Sequence, residues 1–97
     1  MPDDTQVAEG EIALLSCVPP RGNPHPVVTW QKDGEDIDLA ADHRYRIVDG
    51  ANLVITAVRR SDAGDYICRA RNIYAERVSQ PATLTVLGNS LCFINMK

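Results

Sequence analysis

No run of 18 or more apolar residues occurs in this 97-residue chain, which excludes a membrane-spanning helix within it. The opening Met1-Pro2-Asp3-Asp4 lacks the apolar core of a signal peptide. If the parent protein is secreted or membrane-anchored, the chain is expected to be an internal piece of it, with Met1 an added start. No Asn-x-Ser/Thr acceptor is present, so glycosylation gives no clue to the compartment. Histidine occurs only at 25 and 43, and neither stands at metal-ligand spacing from a cysteine or another histidine. Neither a metal nor a cofactor is expected. Ser16, Ser61, Ser79 and Ser90 sit in no motif that supplies a base or an oxyanion donor, so no enzymatic activity is expected. A net charge of -3 argues against bulk nucleic-acid binding. Helical periodicity, internal repeats and low-complexity segments are absent too.

The charge that is there is unevenly spread. Residues 1–42 carry nine acids and two bases, and residues 43–97 carry four acids and eight bases. The bases are eight Arg and two Lys, and guanidinium suits bidentate contact with carboxylate, phosphate and sulfate groups. Hydrophobic residues make up 44%, ordinary for a globular chain. A chain this short buries only about 60% of the surface its unfolded form exposes, so it gains much from a covalent cross-link.

Turn residues recur every eight to twelve positions, the spacing of an all-β sandwich or barrel. Glu9-Gly10-Glu11 is a turn. Ile12 to Cys17 alternates, with Ala13, Leu15 and Cys17 on one face. The loop over 19–26 carries four prolines and cannot join a sheet. Val27 to Gln31 is a strand with Val28 and Trp30 inward, and Lys32-Asp33-Gly34-Glu35 is a tight turn. An acidic, weakly structured stretch runs to Asp42. Strands follow over Tyr45–Val48, Leu53–Thr56 (Leu53 and Ile55 inward), Asp65–Arg71 (Tyr66, Cys68 and Ala70 inward) and Pro81–Leu87 (Ala82, Leu84 and Val86 inward). The total is seven to nine short strands, forming one domain over 1–87. Residues 88–97 are expected to lie outside it as a linker, a divergent splice end or added sequence.

Three features coincide at the centre of this pattern. Cys17 and Cys68 stand 51 positions apart on strand interiors, Trp30 follows the first by 13, and Asp62-Ala63-Gly64-Asp65-Tyr66-Ile67 leads into the second. Cysteines on facing strands of two sheets about 10 Å apart can bridge them, and an indole fills the space beside the bridge. Such spacing is the core pattern of an immunoglobulin sandwich. Tyr66, two residues before Cys68, fits a tyrosine corner, and Gly64 fits a turn where a side chain would crowd that ring. Asp62 is expected to pair with Arg44 or Arg46.

The run Leu53-x-Ile55-x-x-Val58-x-x-x-Asp62-x-Gly64-x-Tyr66-x-Cys68 resembles the immunoglobulin superfamily, intermediate (I) set, and the resemblance covers residues 7–87. Three strings, Pro19 to Pro26, Arg46 to Leu53 and Glu76 to Ser79, look like the second immunoglobulin domain of roundabout-type axon-guidance receptors. That resemblance implies an extracellular module of a membrane-anchored, cell-surface receptor. Its partners would be neighbouring immunoglobulin domains, a protein ligand such as Slit, and heparan sulfate. The tail over 88–97 departs from the family pattern. Two rival readings stay open: a homophilic adhesion domain, or a structural module of an intracellular muscle-type filament protein, where thiols stay reduced.

The candidate binding residues are arginines. By alternation Arg69 and Arg71 point outward, Arg77 opens the next strand, and Arg21 lies in the loop that clusters with 72–76. These four are expected to form one basic stripe on an exposed sheet face, suited to a sulfated glycan. The plainer reading is a solvated face with ion pairs to Glu76 and to the acidic 33–42 stretch. Arg59 and Arg60, at the opposite end, are read as solvated. Leu14 and Val54 point outward near Ile12 as a small apolar patch that can seat a neighbour. Cys92 is a tail thiol, with an intermolecular disulfide giving a dimer as the sharper reading.

Overall fold

The computed structural model describes residues 4–19 and 21–88. Nine short strands occur among these residues: β1 Thr5–Ala8, β2 Ala13–Leu15, β3 Val27–Lys32, β4 Glu35–Asp36, β5 Tyr45–Val48, β6 Asn52–Ile55, β7 Gly64–Arg71, β8 Glu76–Val78 and β9 Ala82–Leu87. They form two sheets. One has the order β1-β9-β7-β3-β4 with β8 also paired to β7, and the other has the order β2-β6-β5. All pairings are antiparallel except β1 with β9, where Thr5 lies beside Leu84 and Ala8 beside Leu87. This is the two-sheet β-sandwich expected from the turn spacing.

Alternation explains which side chains lie between the sheets. Ala13, Leu15 and Cys17 from one layer face Trp30, Tyr66, Cys68 and Leu84 from the other, all buried. Cys17 and Cys68 form a disulfide across the layers, with Cα atoms 6.3 Å apart. Trp30 packs in the same core, and its indole Nε1–H donates to the Ala51 carbonyl at 2.9 Å. The one polar atom of that ring is thereby satisfied, as burial requires.

A second, polar anchor closes the end opposite the 72–75 loop. The Tyr66 hydroxyl donates to the Asp62 carbonyl at 2.6 Å, which is the tyrosine-corner contact. Asp62 lies in a 3₁₀ turn over Arg60–Asp62, and its buried carboxylate accepts from both terminal nitrogens of Arg44, at 2.8 and 3.1 Å, and from the Arg59 N–H. Of the two arginines named for this pairing, the partner is Arg44, because Arg46 lies exposed on β5. Tyr66→Phe keeps the ring and removes only the hydroxyl, leaving a buried carbonyl without its donor. It should lower stability by about 1–3 kcal/mol, read from the urea midpoint at unchanged m-value.

Three details differ from the sequence reading. At Gly64 the nearest neighbour of an added Cβ would be Asp33, whose carboxylate would lie 2.7 Å away. Asp33 fills that space because its Oδ1 accepts from the Asp65 N–H, tying the Asp33-Gly34 turn to the start of β7. The acidic stretch is more ordered than expected. It includes β4, and Ile37 and Leu39 pack half-buried against the core. The last strand starts at Ala82, one residue later than expected, since Pro81 has no donor; β8 precedes it as a separate short strand, and between them Ser79 bonds to Cys68 through both its N–H and its hydroxyl.

Candidate recognition surface

The end of the sandwich carrying the 19–26 and 72–75 loops holds most of the candidate residues. Asn72 organises it. Its Oδ1 accepts from the Tyr74 and Ala75 N–H groups, at 2.8 and 3.0 Å, and its Nδ2 donates to the Pro24 carbonyl at 2.8 Å. Short polar side chains bonding to backbone two or three residues on are what hold such turns. The two loops are thus joined through one side chain, and sequence reading did not single it out.

Strand register decides where the arginines go. Arg69 pairs with Val78, and Arg71 with Glu76, on the outer face of the six-stranded sheet. Arg77 pairs with Ala70, which faces inward, so Arg77 lies on the opposite face from Arg69 and Arg71. The single stripe expected from the sequence is therefore two groups. Arg69 is only partly exposed, and its Nε lies 3.1 Å from the Glu76 carboxylate, the ion pair anticipated as the plainer reading. Arg21, Arg71 and Arg77 all contribute to the lining of one hollow at the loop end, Arg71 and Arg77 from opposite faces of the β7–β8 pair, together with Gly22, Pro26, Ala70, Asn72 and Ala75. Arginines gathered at one end of a domain can meet a polyanion at several points.

A larger apolar hollow lies over the disulfide. Its volume is about 290 Å³, and Val18, Pro19, Cys68, Val78 and Ser79 are among its lining. At the opposite end, Arg60 lies 3.5 Å from Glu9. On the three-stranded sheet Leu14 pairs with Val54, and Leu14 and Ile12 are exposed. Among the described residues no group of three or more His, Cys, Asp or Glu side chains is placed to hold a metal. Cys92 lies outside the described residues.

With two layers, a cross-layer disulfide, a tryptophan beside it and a tyrosine corner in hand, the class of the domain follows. A sequence profile described as immunoglobulin I-set domain matches residues 1–86, and the chain belongs to that family. Within it, the chain is 48% identical over 87 residues to Roundabout homolog 1 of Homo sapiens, covering 89% of this chain and 5% of that protein. It is 47% identical over 85 residues to Protein sax-3 of Caenorhabditis elegans, covering 88% of this chain and 7% of that protein. The chain therefore spans only a small fraction of the curated relatives it matches. Among solved structures it resembles "Tandem Ig repeats of Dlar", with a TM-score of 0.85 and 31% identity over 91% of this chain and 46% of that one. It also resembles an immunoglobulin domain of a titin M10–obscurin-like 1 complex, with a TM-score of 0.80 and 41% identity over 91% of this chain and 89% of that one.

Proposed function

We propose that the chain is an extracellular recognition module of a roundabout-like cell-surface receptor, and that it assists the binding of a protein ligand such as Slit and of heparan sulfate. The observation that carries the glycan half is the grouping of Arg21, Arg71 and Arg77 in the lining of one hollow, held by the Asn72 link between loops. Sulfate esters on a flexible chain fit planar guanidinium forks, and three forks on a fixed frame bind together better than singly. The identity to roundabout proteins supports the receptor assignment over the muscle-type rival. The likeness to the titin–obscurin-like 1 complex reflects the shared sandwich, which hosts many functions. A cross-sheet disulfide fits an oxidising, extracellular setting.

The test is heparin affinity chromatography with a salt gradient. Arg21→Ala/Arg71→Ala/Arg77→Ala should elute at clearly lower salt than the parent chain, because several anion contacts are lost together. Arg46→Ala/Arg60→Ala, away from the hollow, should elute with the parent. Equal elution of both variants with the parent would end the glycan reading.

A further inference from the structure

The Cys17–Cys68 bridge meets packed side chains on the inside and open space on the outside. Inward, both cysteines belong to the buried cluster that holds Trp30, Leu15 and Leu53. Outward, both line the hollow of about 290 Å³, together with Val18 and Val78, which are 80% and 50% exposed. One water needs roughly 10–15 Å³ of such space, so a group several times larger enters. Arg77 is exposed and is the one ionisable side chain in that lining. Among the described residues it belongs to no ion pair. The backbone on each side of the bridge is held by bonds that do not depend on the sulfurs. The Cys17 N–H donates to Asn52 Oδ1 at 2.8 Å, and the Cys68 N–H donates to Ser79 Oγ at 2.9 Å. Cys68 is also the register partner of Trp30 between β7 and β3.

We propose that this hollow admits an external thiolate, and that the Cys17–Cys68 bridge is a reversible thiol–disulfide exchange site which dithiol reductants reach in the folded domain. The entering thiolate bonds to one bridge sulfur as the bond between the two cysteines breaks, and the other sulfur leaves as a thiolate and takes a proton from water. The second thiol of the reductant then displaces the first. Two thiols remain on the chain, and the reductant departs as a disulfide. The Arg77 guanidinium raises the local concentration of the anionic nucleophile and offsets the charge that develops on the leaving sulfur. Because Asn52 and Ser79 keep the two backbones in place, the thiols stay opposed and an oxidant can close them again. The proposal does not rest on glycan binding, and its readout is a count of thiols.

The experiment follows reduction by dithiothreitol at about pH 8, where part of the reagent is ionised. The full chain carries Cys92→Ser, so that the bridge is the only source of new thiols. Samples are quenched in acid, alkylated and counted by intact mass. The rate should rise in proportion to dithiothreitol without levelling off, and should barely change in urea well below the unfolding midpoint. Arg77→Glu should slow it about threefold or more, because the charge at the entry is reversed. Arg46→Glu, on the other sheet, should leave it unchanged. Attack that waits for unfolding behaves differently: the rate grows at least about fivefold per molar of urea, or levels off at the unfolding rate. Either result overturns the proposal. So does an Arg77→Glu rate equal to that of the parent, which would show that the thiolate enters by another path.

Discussion

Arg44→Met is expected to destabilise the fold by about 3–5 kcal/mol, the range seen when one member of a buried ion pair is removed. The side chains of Arg44 and Asp62 are 8% and 4% exposed. Without the guanidinium, Asp62 keeps only the Arg59 N–H as a charge-stabilising donor, and the carbonyls of Thr56 and Ala57 lose theirs. Equilibrium denaturation in urea measures the loss as a shift in midpoint. Arg44→Met/Asp62→Leu should be milder than the single change, because it leaves no uncompensated buried charge. A double variant as unstable as the sum of its parts would show that packing, and not the charge pair, sets the cost.

The same pair fixes how the fold responds to acid. Burial alone would push the Asp62 carboxyl up, but the Arg44 guanidinium and the Arg59 N–H hold it below the ordinary carboxylate range. Asp42 is lowered too, chiefly by the Arg44 backbone N–H. A carboxyl depressed in the folded state contributes stability above its unfolded value of about 3.9 and loses it as the pH falls through the folded value. Stability should therefore be flat near neutrality and fall steeply below about pH 4, with a shallower acid limb in Arg44→Met.

Cys17→Ala/Cys68→Ala is the second large change, with an expected loss of about 4 kcal/mol. The bridge joins residues 51 apart, and closing a loop of that length lowers the unfolded chain's entropy enough to raise its free energy by about this much. In a domain with so small a core, that is a large share of a total stability of roughly 5–15 kcal/mol. Thermal unfolding with and without reductant provides the check: the parent should lose stability on reduction, and the double variant should be indifferent to it. Equal midpoints for parent and variant in the absence of reductant would show that the bridge adds no stability.

The inner faces were legible in the sequence because a strand's period of two leaves little choice once one buried residue is placed. Trp30 and Cys68 are register partners, so placing either fixes the faces of β3 and β7 together. Arg77 shows where this stops. Its side depends on the offset across a hairpin, and that offset is set by the Asn72–Ala75 turn bond rather than by any pattern within either strand. Ile37 and Leu39 illustrate a different difficulty. They alternate as a strand would, but carboxylates at 36 and 38 made the stretch look solvated. Their half-burial depends on the sheet edge they pack against, which no local signal reports.

The parallel pairing of β1 with β9 has a mechanical consequence. The chain enters this ladder at Thr5 beside Leu84 and leaves it at Leu87 beside Ala8, so its two ends depart in opposite directions along the strand axis. A stretching force applied through those ends drags the strands past each other lengthwise. The ladder bonds, with the Glu9 N–H to Leu87 carbonyl bond at one end and the Asp4 carboxylate on the Thr83 N–H at the other, then share the load and fail together instead of unzipping one at a time. A domain threaded in this way meets a pull through its ends with the whole ladder at once.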